Sequence, residues 1–494
     1  MLKKILCIIL ALCVIVSLFS GCTDESTVVE ESYFEVGDTQ VIVGDTITNT
    51  ESNTQTTTNK AERPDSIGDV DYSYDISSIE MPKRKLKDKT LTYFSWSKMI
   101  EGKTESITLM KKEFGIKFEP IIVNKDNYWD TLATMIVAGK SPDLVVTTSW
   151  DYYPAPISLG LLQPLDGILD LEDELWEDTY AFNNEIAWNG KHYFVYNTAQ
   201  IGSWLYYNKN MFKNFGVKKT PKDYFLEDNW TWETLKEVAD KFVTYNSDGS
   251  LKTTGFTMGY EELALTTGVN LISRDSSGKI TCNLDNPLIT KFMNFVHSMG
   301  KAGSNGLAFI GDRGAAFANG EVAMLTWDYY AIDDARWKGI RKDIEWVPMP
   351  KMDASSDYYF EVWTMPSACI PVGAKNVEAA ALYIEFTKWL SLGWRTSSYL
   401  PQRTNAAIKK YKLQSAVADR PFTDEELQWT EEILSKYKYK YMTNIHRSWI
   451  YNVEDKTYPG SYPGVNNVIE GKAWSTVYNE IKPKYDALVK KYNK

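Results

Sequence analysis

From about residue 90 onward, short runs of apolar and β-forming residues alternate with stretches whose apolar positions recur every three or four residues. That alternation predicts an α/β fold with mainly parallel sheets. LTYFSWS, starting at Leu91, DLVVTTS at 143–149 and EVAMLT at 321–326 read as strands bounded by polar residues. In NWTWETLKEVADKFVTYN, residues 229–246, the side chains of Trp232, Leu235, Val238, Ala239 and Phe242 share one helical face. Thr231 stands at the N-cap position and Glu233 in the first turn, so the helix has a start signal as well as a face. NVEAAALYIEFTKWL repeats the pattern with Val377, Ala380, Ala381 and Ile384. Both stripes predict core packing. The loop NSDGS at 246–250 lacks the aspartate spacing and closing glutamate of an EF-hand, and predicts a plain hairpin turn.

The chain opens differently. Two lysines precede an apolar run from Ile5 to Phe19, interrupted by Ser17 alone, which fits a secretory signal or a retained anchor. The ending LFSGC decides between them, because it resembles a bacterial lipobox whose Cys22 becomes the lipidated first residue. Residues 1–21 are then a signal peptide. Residues 22–88, rich in Thr, Ser, Asn, Asp and Glu, bury too little apolar surface to offset ordering and predict a flexible tether. Cys7 and Cys13 leave with the signal; Cys282 and Cys369 remain, as a disulfide or as two buried thiols. The remaining stretch of about 400 residues exceeds one core and predicts two lobes. A formal net charge of −11 argues against nucleic acid or anionic lipid as partner.

Trp-Asp-Tyr-Tyr occurs twice, at 150–153 and at 327–330, each time just after a predicted strand. Ligands of α/β sheets bind at strand ends. Large aromatics are also ordinary core residues, so the tetrads fit packing as well as binding.

Several stretches in order resemble the extracellular solute-binding proteins of ABC importers, in the maltose-binding-like sugar group. They are AGKSPDLVVTTSWDYYPAPISLGLLQPLDGIL, WLYYNKNMFKNFGV, NWTWETLKEVADKF, AAFANGEVAMLTWDYY, VPMPK and YLPQRTNAA, spanning 90 to about 410. The resemblance implies a two-lobed, type II periplasmic-binding-protein-like clamshell with a hinge of two or three crossovers. It places the first crossover near NTAQIGS, at 197–203, and the others near Leu325 and Ser367. Residues 89–199 and 326–366 would form lobe one; 200–325 and 367–494 would form lobe two. The Tyr- and Lys-rich tail, with KYKYKYMTN and YPGSYPG, matches nothing in the family pattern.

A pyranose has apolar C–H faces and a belt of hydroxyls, so its site needs flat aromatics and polar side chains. Asp151 matches the position of a sugar-binding Asp in the family, and Trp150 beside it supplies a stacking face. Trp327 and Asp328 follow the Ala-Met strand, where the family presents a stacking aromatic. Trp96, Trp204, Trp363 and Arg403 complete the expected ligand-binding set. The implied partners are an oligosaccharide and the transmembrane subunits of an ABC permease. The protein would be monomeric, need no cofactor or metal, and sit on the outer face of the bacterial membrane through its lipid alone. No Gly-x-Ser-x-Gly, P-loop or Gly-x-Gly-x-x-Gly occurs, and His192, His297 and His446 are isolated in sequence. A cleft-type glycoside hydrolase, needing two carboxylates among aromatics, is the rival reading; a ligand sensor on the same fold is a third.

Overall fold

A computed structural model describes residues 79–96, 105–124, 127–146, 153–258, 262–274, 279–328, 331–332, 334–366, 368–398, 424–443 and 464–493. In chain order the first strands are β1 (Thr90–Ser95), β2 (Lys117–Ile122), β3 (Leu144–Val145), β4 (Tyr196–Ile201), β5 (Ser203–Asn208), β6 (Thr244–Tyr245) and β7 (Leu251–Thr257). They are followed by β8 (Ile272–Arg274), β9 (Ile280–Cys282), β10 (Val322–Asp328), β11 (Ile344–Val347), β12 (Tyr359–Pro366) and β13 (Lys440–Thr443). The helices that matter below are α1 (Glu105–Phe114), α2 (Tyr128–Val137), α3 (Tyr180–Ile186), α4 (Trp232–Asp240) and α5 (Pro287–Met299). Further along are α6 (Arg313–Ala318), α7 (Val377–Ser398), α8 (Asp424–Lys436) and α9 (Trp474–Tyr492).

Lobe one holds a parallel sheet in the order β2-β1-β3, with α7 packed against it. Lobe two holds the sheet β11-β5-β10-β7-β6, in which β10 runs parallel to β7 and antiparallel to β5. Two of its three inner strands, β5 with SWLYYN and β10 over VAMLT, are buried throughout, as expected of strands covered on both faces. A third sheet, β13-β12-β4, carries the chain between the lobes. The chain changes sheet at Gly202, whose N–H donates to the Glu361 carbonyl oxygen at 2.8 Å. Beside it the Ser203 hydroxyl donates to the buried Glu361 carboxylate at 2.7 Å.

Helix α4 forms as its sequence dictates. Thr231 and Thr234 cap each other's backbone N–H groups, and Trp232, Leu235, Val238, Ala239 and Phe242 are all buried. The helix lies so close to β7 that a Cβ on Gly255 would stand 2.1 Å from the Ala239 carbonyl oxygen. Gly255→Ala is therefore expected to cost about 1–3 kcal/mol by forcing helix and strand apart, read as a lower urea midpoint at unchanged slope. The Asn246–Ser250 turn joins β6 to β7 as a hairpin. On α7, Ala379, Ala380, Ala381 and Ile384 are buried in the lobe-one core.

Three expectations about boundaries change. Residues 326–366 do not form part of lobe one up to the crossing: Thr326, Trp327 and Asp328 pair with Leu205, Trp204 and Ser203, and β11 pairs with the other edge of β5. The return crossing is β12 itself, and no crossing falls at Leu325. Residues 368–392 belong with lobe one, since Cys369 bridges Val145 and α7 packs on the first sheet. The ordered body also begins before residue 89. Ile79 is 4% exposed, and Arg84 donates to both Glu385 carboxylate oxygens at 2.7 Å and to the Ile168 carbonyl oxygen at 2.6 Å.

The tail from 424 returns to lobe two. The Trp429 indole N–H donates to the Trp346 carbonyl oxygen at 2.7 Å, and Arg341 pairs with Glu426. In the Tyr-Lys repeat the side chains alternate: Tyr437 and Tyr439 pack on Tyr358, Phe225 and Phe360 before the strand joins β12. That follows the period-2 alternation of a strand, with Lys436 and Lys438 on the exposed side. No helix among the described residues is long and apolar enough to cross a membrane. The apolar run 5–19 and Cys22 lie outside the described residues.

Candidate functional site

Both lobes present the carboxyl ends of parallel strands, which is where α/β sheets hold ligands. In lobe one these ends are Ser95–Trp96, Val123 and Val146. The Tyr128 hydroxyl stands 3.0 Å from the Phe94 carbonyl oxygen and 2.9 Å from that of Val146, tying β1 to β3 at this edge. Trp96 is half-buried there and packs on the core. In lobe two the ends are Thr257 on β7 and Trp327–Asp328 on β10.

Trp327 is half-buried. The Arg313 guanidinium carbon lies 4.7 Å from its ring centre and that of Arg336 lies 5.5 Å away, both within cation–π range. Trp337 meets its edge at 5.8 Å, and the Trp337 indole N–H donates to the Gly314 carbonyl oxygen at 3.0 Å. The indole rests on α6 at Gly314, where a Cβ would come within 2.7 Å of its ring atoms. Arg336 is held by Asp334 and Asp312, and the hydrogen bonds that it donates to the Asp334 carboxylate push its already high pKa further up. Burial opposes ionisation of Asp334, but the Arg336 hydrogen bonds outweigh it and hold that carboxyl below its ordinary range. The Asp328 carbonyl oxygen accepts from the Tyr206 hydroxyl at 3.2 Å, which fixes the backbone at the strand end.

Trp204 is the register partner of Trp327 but is not a surface for stacking. It is 2% exposed and packs edge to face on Phe360 at 5.1 Å, because β5 is an inner strand beside the crossing. Trp363 lies on β12 opposite Gln200. Trp150, Asp151 and Arg403 lie outside the described residues. Tyr153, the last residue of the first tetrad, is a packing residue: it is buried edge to face with Trp188 and Phe194, and burial raises its phenol pKa.

Two polar groups at the lobe-two edge escaped sequence reasoning. The buried Thr257 hydroxyl ends β7 and has no hydrogen-bond partner among the described residues. Glu262, on the short helix Glu262–Leu265 that follows, is a buried carboxylate. Their signal was a strand-ending polar cluster, GFTMGYEEL, of the same kind as the tetrads. Cys282 and Cys369 are free thiols, and burial pushes the Cys282 thiol up to about 11. Among the described residues no three metal-ligating side chains converge. His192 is engaged by Asp166 at 3.0 Å and Asn184 at 3.3 Å.

Two open α/β sheets joined by crossing strands define a two-lobed, type II binding-protein fold. The chain belongs to the bacterial extracellular solute-binding protein family, whose sequence profile matches residues 106–416. A binding protein of Brucella abortus (strain 2308) is 29% identical over 173 residues, 34% of this chain; the chain spans 36% of that relative's length. Among solved structures, an ABC substrate-binding protein of Listeria monocytogenes in complex with cycloalternan superposes with a TM-score of 0.55 at 15% identity, covering 82% of this chain and 99% of that one. A cyclo/maltodextrin-binding protein complexed with maltotetraose gives 0.57 at 17% identity, covering 82% and 99%. The GacH receptor of Streptomyces glaucescens, solved unliganded and with acarbose, gives 0.53 at 17% identity, covering 81% and 98%.

Proposed function

We propose that this protein captures a carbohydrate, in particular an oligosaccharide, between its lobes and delivers it to the membrane subunits of an ABC importer. The observation that carries the reading is the pair of half-buried indoles, Trp96 and Trp327, each at the carboxyl edge of one lobe's sheet, with Asp328 beside the second. Flat aromatics with adjacent carboxylates suit the apolar faces and hydroxyl belt of a sugar. The family supports solute capture, and the similar structures named above hold cycloalternan, maltotetraose and acarbose. Trp150, Asp151, Trp363 and Arg403 are proposed as further contacts, and the protein as a monomer.

Calorimetry against a panel of oligosaccharides should give saturable binding with the sugar recovered intact. Recovery of shortened sugar would instead establish a glycoside hydrolase. Cys22 is proposed as the lipid attachment point, at the outer face of the membrane. Cys22→Ala should move the protein from the membrane fraction to the soluble one while its circular dichroism stays native; retention in the membrane fraction would remove the anchor from this proposal.

A further inference from the structure

Two side chains of lobe two reach the same short stretch of lobe one. Arg274, the last residue of β8, donates from its guanidinium to the carbonyl oxygens of Glu185 and Ala187. Those carbonyls lie at the C-terminal end of α3, where unpaired acceptors and the helix dipole favour a cation. The same guanidinium carbon stands 6.0 Å from the ring centre of Tyr153, which packs on Trp188. Tyr492, the last residue of α9, meets Trp188 edge to face at 6.1 Å.

These two reaching groups are braced against each other. Arg274 pairs across the β8–β9 hairpin with Ile280. Asn493, next to Tyr492, accepts from the Ile280 N–H at 2.9 Å and donates from its side-chain amide to the Ile280 carbonyl oxygen at 2.8 Å. The hairpin and the end of the C-terminal helix therefore form one grip on residues 185–188. None of these residues belongs to β4, β5 or β12, so the grip links the lobes separately from the crossing strands.

We propose that Arg274 and Tyr492 form an interlobe latch that sets how far the ligand-free lobes separate, and thereby sets ligand affinity without touching the ligand. Separation must break charge-assisted hydrogen bonds to two carbonyls and uncover Trp188. A ligand that favours one arrangement of the lobes binds in proportion to the population of that arrangement, so the latch enters the apparent affinity as a fixed factor. The consequence for affinity rests on the ligand-capture reading; the latch itself does not.

The test uses the full-length, ligand-free protein with fluorophores on non-natural residues at the exposed positions Lys140 in lobe one and Lys301 in lobe two. Arg274→Met and Tyr492→Ala should each shift the interlobe distance distribution to longer values; Arg274→Met should raise the separated population about tenfold, the scale of a lost hydrogen bond to a charged group, and Tyr492→Ala about threefold to tenfold, the scale of a lost aromatic pair. Arg274→Lys, which keeps the charge but loses the fork, should fall between wild type and Arg274→Met. Distributions that match wild type in both Arg274→Met and Tyr492→Ala, with native circular dichroism, overturn the latch. If Arg274→Met fails to fold, Tyr492→Ala decides by the same criterion. Because no ligand is added, failure of every sugar to bind would leave this result standing.

Discussion

Lys388→Met should cost the folded protein about 3–5 kcal/mol, because it leaves a carboxylate buried without its cation. Lys388, on α7, and Asp178, ahead of α3, are both fully buried and form a direct ion pair. The ammonium also donates to the Asn197 carbonyl oxygen at 3.0 Å, so it ties the core of lobe one to β4, the strand that crosses to lobe two. Its position 6.0 Å from the Trp176 ring centre leaves apolar surroundings on that side. Asp178→Leu alone should cost a similar amount by stranding the ammonium. The double variant Asp178→Leu/Lys388→Met should recover most of the loss, since replacing a buried pair by apolar side chains of similar size is often close to neutral. Guanidinium denaturation of the three variants checks this; single variants within 1 kcal/mol of wild type would mean that water reaches the pair.

Trp327→Ala should weaken carbohydrate binding by about 1–3 kcal/mol while lowering stability less than Trp232→Ala does. The two indoles differ in place. Trp232 is buried under α5, stacked at 5.0 Å on Phe295, with its N–H bonded to the Thr266 hydroxyl at 2.8 Å. Trp327 is half-buried at the strand edge, with Arg313 and Arg336 holding its orientation. Removing Trp232 opens a core cavity; removing Trp327 takes away the proposed stacking face and the ring that Arg313 and Arg336 flank, while Arg336 stays held by Asp334 and Asp312. Calorimetry and thermal melting on both variants separate the roles. Unchanged affinity with a large melting loss at Trp327 would make it a packing residue and remove it from the site.

Local pattern carried much of this protein. The helix at 231–242 was legible because its cap, first-turn acid and apolar face all lie within one short window. The hairpin at Asn246–Ser250 was legible for the same reason. The strands ending in Ser95–Trp96 and Trp327–Asp328 were legible as runs of β-formers, and the ordered motifs were specific enough to indicate the solute-binding family.

Pairing was not legible, because a strand's own residues do not say which edge it will join. EVAMLT could have fed either sheet; only its antiparallel register with β5 puts Trp327 in lobe two and buries its partner Trp204. The Tyr-Lys repeat showed a period of two in sequence, but it took the aromatic surface of Phe225, Tyr358 and Phe360 to decide which residues turn inward. Arg84 looked like part of a polar tether until Glu385, 301 residues away, supplied its carboxylate. Lys388 sat in sequence as an interruption of an apolar helix, and Asp178 as one acid in an acidic run. Their separation of 210 residues leaves no local trace, and only the folded core brings the two charges into contact and removes the water that would otherwise screen them.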